Sequence, residues 1–185
     1  IGSGKLELFN ATIIHNRANM KVSDETCYID GAIDTGEGGG ILRSSSEVNL
    51  HNTIIAENTV MLASFFFTSD DCKGTLSTFS YSLLGSSDGC TFTNENSITD
   101  QDPKIDNLAD NGGPTQTHAL QEGSPAIDAG DPKGCKDQDG KLLTTDQRGY
   151  VRPFDGDGNG TERCDMGAYE VVKDSAFVYL PFLKK

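Results

Sequence analysis

The sequence predicts an all-β protein, and in particular a parallel β-helix of few coils. Three observations favour this fold class. Thr, Ser, Asn, Asp and Gly are abundant, whereas only 35 % of the residues are hydrophobic and Trp is absent, which is typical of short strands joined by turns. One segment is repeated along the chain. Apolar residues within each copy alternate with a period of two, as a strand requires.

The repeat defines the expected strands. "LELFNATIIHN" (6–16) aligns with "VNLHNTIIAEN" (48–58) at an offset of 42 residues, except that Thr12 aligns with Thr53 after a slip of one residue. A third, weaker copy is "STFSYSLLGSS" (77–87). A single coil cannot bury its inner face alone, so repeats of this kind are typical of coils that stack and share a continuous core.

Two asparagines close equivalent strands of the repeat. Asn10 and Asn52 occupy matching positions in the first two copies. Inward Asn side chains at turns can form hydrogen bonds to the coils above and below. We therefore assign Asn10 and Asn52 a structural role as turn residues.

The chain divides into three regions. Residues 1–93 are expected to form the coils, with an insertion near 20–37. Residues 94–170 lose the repeat and are rich in turn signals, as in "DNLADNGGPTQTHALQEGSPAIDAGD", so they predict an irregular C-terminal cap. Residues 171–185 are expected to form a terminal strand or a tail for anchoring or assembly.

The cysteines favour disulfides over a metal site. No CxxC pair is present, which disfavours structural zinc. Cys72 and Cys90 flank one strand-like segment, and Cys135 and Cys164 flank the acidic, Gly-rich region. Two disulfides in an exported protein are the natural interpretation, with buried free thiols as the alternative. Cys27 is left over, either free or paired outside these residues.

The charge excludes one class of partner. The formal net charge is −13, with 28 acidic and 15 basic residues. Because nucleic-acid binding requires basic patches that neutralise phosphates, we do not expect a nucleic-acid partner. An acidic surface suits calcium and keeps a secreted protein soluble. The longest apolar run near an end, 175–183, is too short to span a bilayer.

The acidic stretch "FDGDGNGTERCDMGAYE" (154–170) begins like an EF-hand loop. Its second half departs from that pattern, because Met166 stands where the bidentate Glu should be. A looser oxygen cage for calcium remains a candidate, and the alternative is a solvated Asp/Gly turn. The candidate ligands are Asp155, Asp157, Asn159, the Thr161 carbonyl and Asp165.

Several motifs in one order resemble a known family. "DCKGTLSTFSYSLLGSSDGCTF" (71–92), "LADNGGPTQTHALQEGSPAIDAGD" (108–131), "TTDQRGYVRP" (144–153) and "CDMGAYE" (164–170) together resemble the C-terminal region of large exported bacterial β-helix proteins. These are grouped as the choice-of-anchor Q or CSLREA-associated family. The resemblance implies a right-handed parallel β-helix with a C-terminal cap and a cell-surface or extracellular location. The resemblance does not by itself imply a catalytic activity.

Within "TTDQRGYVRP", we expect Asp146, Arg148 and Arg152 to form ion pairs or cap carbonyls, so that they pin the cap to the coils.

A polysaccharide lyase would need acids and a base on one face of the β-helix. The available acids do not repeat at one strand position; they are Asp70, Asp71, Asp100 and Asp102, with Arg43 or Lys73 as bases.

We therefore expect a non-catalytic extracellular structural protein, a unit of a surface fibre, layer or adhesin. It would bind copies of itself or other surface proteins. The terminal run suits addition to a sheet edge of a neighbour and hence head-to-tail assembly; its residues are Phe177, Val178, Tyr179, Leu180 and Phe182. The alternative is a carbohydrate-active β-helix enzyme or a glycan-binding module.

Overall fold

A computed structural model describes residues 4–18, 39–42, 47–61 and 67–173. This part of the chain is all-β and contains no helix, and so no helix that could cross a membrane. The predicted insertion with Cys27, Arg43 and residues 174–185 lie outside it. The strands are β1 (Lys5–Phe9), β2 (Thr12–Ile14), β3 (Arg17–Ala18), β4 (Ile41–Leu42), β5 (Glu47–His51), β6 (Ile54–Ala56), β7 (Thr59–Met61), β8 (Phe67–Ser69), β9 (Cys72–Thr75), β10 (Thr78–Ser80), β11 (Leu83–Leu84), β12 (Cys90–Thr91), β13 (Asn94–Glu95) and β14 (Ile98–Thr99).

Most strands belong to three parallel sheets. Sheet A has the order β1-β5-β10-β13, sheet B the order β2-β6-β11-β14, and sheet C the order β4-β9-β12. In each of four passes the chain forms a strand of sheet A and then the next strand of sheet B. A smaller sheet contains β3 and β8 on either side of β7, with β8 antiparallel.

The register follows the sequence repeat. In sheet A, Leu8 lies beside Leu50, which lies beside Phe79. In sheet B, Thr12 pairs with Ile54, so the predicted slip that placed Thr12 opposite Thr53 is wrong. Two residues separate the sheet A strand from the sheet B strand in both copies. Because these turns have equal length, the register set in sheet A continues unchanged into sheet B.

Sheet B is buried on both faces. Its inner face shares a core with sheet A, and its outer face joins a second core with the C-terminal region. The inner core contains Val48, Leu50, Ile55, Phe79 and Leu84. The outer core contains Ile14, Ile54, Ala56 and Leu83 together with Ile105, Leu120, Ala126 and Met166.

The C-terminal region, residues 101–173, therefore lies along the side of the strand stack. The sequence predicted a cap, a role that would place this region over the end. The adjacent apolar pairs Ile13-Ile14, Ile54-Ile55 and Leu83-Leu84 explain the difference, because one member of each pair faces outward and must be covered. Within the region, pairing is limited to isolated antiparallel bridges, as between Ile105 and Leu120.

Both predicted disulfides are present. Cys72 on β9 is bonded to Cys90 on β12, with their Cα atoms 5.7 Å apart, so this bridge links neighbouring strands of sheet C. Cys135 is bonded to Cys164 with a Cα–Cα distance of 6.1 Å. Both distances are ordinary for disulfides, and the bridges are compatible with an extracellular location.

Candidate functional site

The stacked asparagines connect the turns between sheets A and B to the C-terminal region. Asn10 and Asn52 have φ angles of 51° and 53°, a left-handed conformation that Asn tolerates better than most residues. The Asn52 Nδ2 donates to Oδ1 of Asn10 at 2.9 Å and to the Asp165 carbonyl at 2.9 Å. The Asn10 Nδ2 donates to the Lys136 carbonyl at 2.8 Å. The predicted hydrogen bonding between these turns is therefore present, and it also reaches the C-terminal region.

Asp146 and Arg148 form one of the two buried ion pairs in the described part of the chain. The Arg148 Nε donates to Oδ2 of Asp146 at 2.8 Å, and its Nη2 donates to the Glu170 carbonyl at 2.6 Å. Both side chains are almost completely buried. The Arg148 guanidinium also lies 3.6 Å from the centre of the Tyr169 ring. The negative face of the ring attracts the cation and adds to its stabilisation.

Arg152 and Glu170 form the second pair. The Arg152 Nε donates to Oε2 of Glu170 at 2.6 Å, and its Nη2 donates to the carbonyls of Gly167 and Tyr169. The remaining Glu170 oxygen accepts the Phe154 N–H at 2.8 Å. The predicted ion pairs and carbonyl caps are thus both present, and they organise residues 164–171.

This segment binds the strand stack directly. The Gly167 N–H donates to the Asn52 carbonyl at 2.8 Å, and the Ala168 N–H donates to Oγ1 of Thr12 at 3.1 Å. Gly167 has a φ of 90°, a conformation that favours glycine. The arginines therefore hold the C-terminal region on the strand stack indirectly, by fixing the segment that contacts sheet B.

Asp165 does not belong to the acidic loop, contrary to the calcium hypothesis. It is completely buried, and its carboxylate accepts the N–H groups of Asp128 and Val171 at 2.8 and 2.6 Å. Burial, together with the nearby Glu170 carboxylate, raises the pKa of Asp165 to about 8. Burial also raises the pKa of Glu170 to about 7, although Arg152 opposes this shift.

The acidic loop is closed by its own side chains. The Asp155 carboxylate accepts the N–H groups of Gly158, Asn159 and Gly160. The Oδ1 of Asn159, a predicted ligand, accepts the Thr161 N–H at 2.8 Å. These bonds explain why the Asp/Gly pattern forms a tight turn. The side-chain oxygens accept the backbone N–H groups of the loop, which have no carbonyl partner in a sheet or helix.

A carboxylate from elsewhere joins this loop. Oxygen atoms of Asp128, Asp155 and Asp157 lie within 4.8 Å of one another, and this is the cluster of potential metal-ligating side chains found in the described part of the chain. The Asp157 N–H donates to Oδ2 of Asp128 at 2.7 Å. The sequence did not indicate Asp128 as a candidate ligand, because it lies 27 residues before Asp155 and has no distinguishing pattern around it.

Three of the acids considered for a lyase, Asp71, Asp100 and Asp102, accept hydrogen bonds from backbone N–H groups. The buried Asp71 accepts the Asn58 N–H and the Ser86 N–H, each at 2.8 Å. Burial raises the pKa of Asp71, although those hydrogen bonds oppose the shift. Asp100 accepts bonds from the Ser87 N–H and hydroxyl, and Asp102 accepts the Lys104 N–H.

A groove of about 260 Å³ lies between the outer face of sheet A and the turn near residue 136. The stacked rings of Phe9 and His51, with centroids 4.8 Å apart, form part of its wall. Tyr81, Asp131 and Asp137 are also among its lining residues. The groove therefore combines aromatic and carboxylate groups.

Comparisons of the chain with protein-family models, with curated proteins and with solved structures find no match.

Proposed function

We propose that this chain is a non-catalytic extracellular structural protein, a unit of a cell-surface fibre, layer or adhesin. In this proposal each pass of the chain through sheets A and B is one coil of a right-handed β-helix. The observation that carries it is the repeated passage from sheet A to sheet B at constant register. Right-handedness follows from the strong preference of crossover connections between parallel strands. The family resemblance of the motifs points the same way.

The chemistry of the buried charges supports a structural role. Arg148 and Arg152 are engaged with carboxylates and with backbone carbonyls, and Glu170 accepts from Arg152 and from two backbone N–H groups. Side chains bound in this way hold the fold, because moving them would leave buried charges unpaired. Disulfides and an acidic surface are both common in exported proteins.

The open edge of the stack supports head-to-tail assembly. Among the described residues, no strand pairs with the outer edge of β1 or β2, and Leu6 on β1 is 40 % exposed. A cleft of about 530 Å³ runs along Thr12–Ile14. Side chains of successive strand residues point to opposite faces, so a space that touches all three residues meets the edge of the strand. An edge of this kind can accept an extended segment of another molecule.

We propose that the C-terminal run supplies that segment. Its residues Phe177, Val178, Tyr179, Leu180 and Phe182 lie outside the described part of the chain. The experiment is negative-stain electron microscopy and light scattering of the whole chain and of a variant that lacks residues 175–185. We expect end-to-end assemblies that disappear in the variant. Deletion of residues 184–185 alone is the control and should leave assembly intact.

Two outcomes would contradict this proposal. Assembly that persists without residues 175–185 would exclude the tail as the connecting segment. Monodisperse single particles of the whole chain, at every concentration tested, would exclude self-assembly through either edge.

The groove on sheet A favours glycan binding as a second candidate. Aromatic side chains and carboxylates are the groups that commonly fix a polar ligand in a concave site, and Tyr81 and Asp131 supply one of each. Binding of the whole chain to immobilised polysaccharides, lost in Tyr81→Ala, would support this function. Turnover of an acidic polysaccharide in the presence of calcium would instead establish an enzyme.

A further inference from the structure

Asp128 carries a buried carboxylate oxygen without a partner. The residue is only 9 % exposed, and its Oδ1 accepts no hydrogen bond from any described group. The other oxygen, Oδ2, accepts the Asp157 N–H at 2.7 Å. A buried carboxylate oxygen that accepts nothing is costly, because it has lost water without gaining a donor or a cation.

The surroundings of Asp128 carry excess negative charge. Asp155 and Asp157 bring one carboxylate oxygen each to within 4.8 Å of Asp128. On the interior side, the Asp128 N–H donates to the Asp165 carboxylate, which lies close to Glu170. Arg152 pairs with Glu170 and also binds carbonyls, so it is already engaged. The Lys173 ammonium lies beside Gly158 in the loop, where it would compete with a cation for the loop carboxylates.

We propose that Asp128, Asp155 and Asp157 bind a calcium ion. Calcium takes oxygen ligands at about 2.3–2.6 Å, so one ion can touch oxygens about 4.8 Å apart. The smaller magnesium ion requires a closer octahedral arrangement and retains its waters. Thiolate and imidazole groups, which zinc prefers, are not part of the cluster. Asp157 is exposed, so water can complete the coordination.

The site differs in its construction from an EF-hand loop. The first two acids, Asp155 and Asp157, come from the loop, and Asp128 from a distant turn supplies the acid that is missing at Met166. The ion would thus join the loop to Asp128, whose N–H is fixed by the buried Asp165. Its effect is to clip an exposed turn to the core of the C-terminal region.

The test is calorimetric titration of the chelator-treated whole chain with calcium and with magnesium, together with thermal unfolding. We expect calcium binding and a higher melting temperature in calcium than in chelator, and a weaker response to magnesium. Asp128→Asn should weaken calcium binding by about tenfold or more. Asp139→Asn is the matched control, because Asp139 lies in the second acidic turn, "KDQDGK", and is exposed. It should bind calcium like the original chain.

The proposal is overturned if calcium produces neither heat nor a shift in melting temperature, or if Asp128→Asn binds calcium as tightly as Asp139→Asn. Should Asp128→Asn fail to fold, the exposed Asp157→Asn replaces it with the same expected loss. Equal binding of calcium by Asp157→Asn and the control then contradicts the proposal.

Discussion

Asn52 donates a hydrogen bond to Asn10 across 2.9 Å, although the two residues are 42 positions apart. The same Nδ2 also lies within hydrogen-bond distance of the Asp165 carbonyl and of the Cys135 sulfur. One amide therefore joins two successive passes of the chain and the disulfide-linked segment of the C-terminal region. Its backbone conformation, with a φ of 53°, adds a second reason why Asn is required there.

The contact predicts how substitutions at Asn52 differ. Asn52→Ala loses the hydrogen bonds and strains the left-handed backbone, so we expect the free energy of unfolding to fall by about 2–4 kcal/mol. Asn52→Gly loses the same hydrogen bonds but relieves the strain, and should cost about 1–2 kcal/mol less than Ala. Urea denaturation measures both. Equal losses would show that the conformation of the turn contributes nothing.

Arg152 should be the most sensitive of the buried charges. Arg152→Ala leaves Glu170 without its guanidinium, and we expect a loss of about 3–5 kcal/mol in the free energy of unfolding. Lys5→Ala, which removes an exposed pair with Glu7, is the control and should leave the denaturation midpoint unchanged. A stable Arg152→Ala variant would mean that Glu170 is accommodated in its protonated form.

The pH dependence of stability follows from Glu170. Burial raises its folded pKa to about 7, against the opposing effect of Arg152, whereas an unfolded glutamate titrates near 4.3. The folded state then binds more protons than the unfolded state between these values, so the free energy of unfolding should decrease as pH rises through this window. The buried Asp71, whose pKa burial also raises, acts in the same direction.

Thermal unfolding across this pH range, in the presence of a calcium chelator, measures the effect. Glu170→Gln resembles the protonated side chain, so its stability should be close to that of the original chain at low pH, and its pH profile should be flatter. An unchanged slope in Glu170→Gln would assign the pH dependence to other buried carboxylates, such as Asp165 and Asp71.

Leu83 and Leu84 offer a matched pair on opposite faces of sheet B. Both are fully buried, but Leu83 contacts the C-terminal region and Leu84 faces sheet A. Replacing either by Ala should cost about 2–5 kcal/mol. Hydrogen exchange should distinguish them, because Leu83→Ala removes a contact of residues 101–173 and should accelerate exchange there first. Identical exchange patterns in the two variants would contradict separate cores.

The strands and their covalent links could be predicted because their causes are local or repeated. Period-two alternation marked the strands of sheet A, and paired copies of the repeat identified Asn10 and Asn52. The register in sheet B was harder, because Thr12 resembles Thr53 chemically while strand pairing places it opposite Ile54. Turn length determined the pairing, and residue similarity did not.

The position of the C-terminal region and the role of Asp128 could not be predicted in the same way. Both depend on which distant surfaces meet, and one sequence without periodicity in that region gives no measure of such contacts. The apolar pairs of sheet B did carry a signal. Ile54-Ile55 and Leu83-Leu84 interrupt the alternation expected of a half-exposed strand, and strands buried on both faces have this pattern.

The two-faced burial of sheet B also gives the flanking region a role along the whole sheet. The outer core contains a residue from each of the four described passes, namely Ile14, Ile54, Leu83 and Ile98. Loss of residues 101–173 would therefore uncover apolar surface on every strand of sheet B. The region stabilises all four passes from one side, and not only the pass nearest to one end.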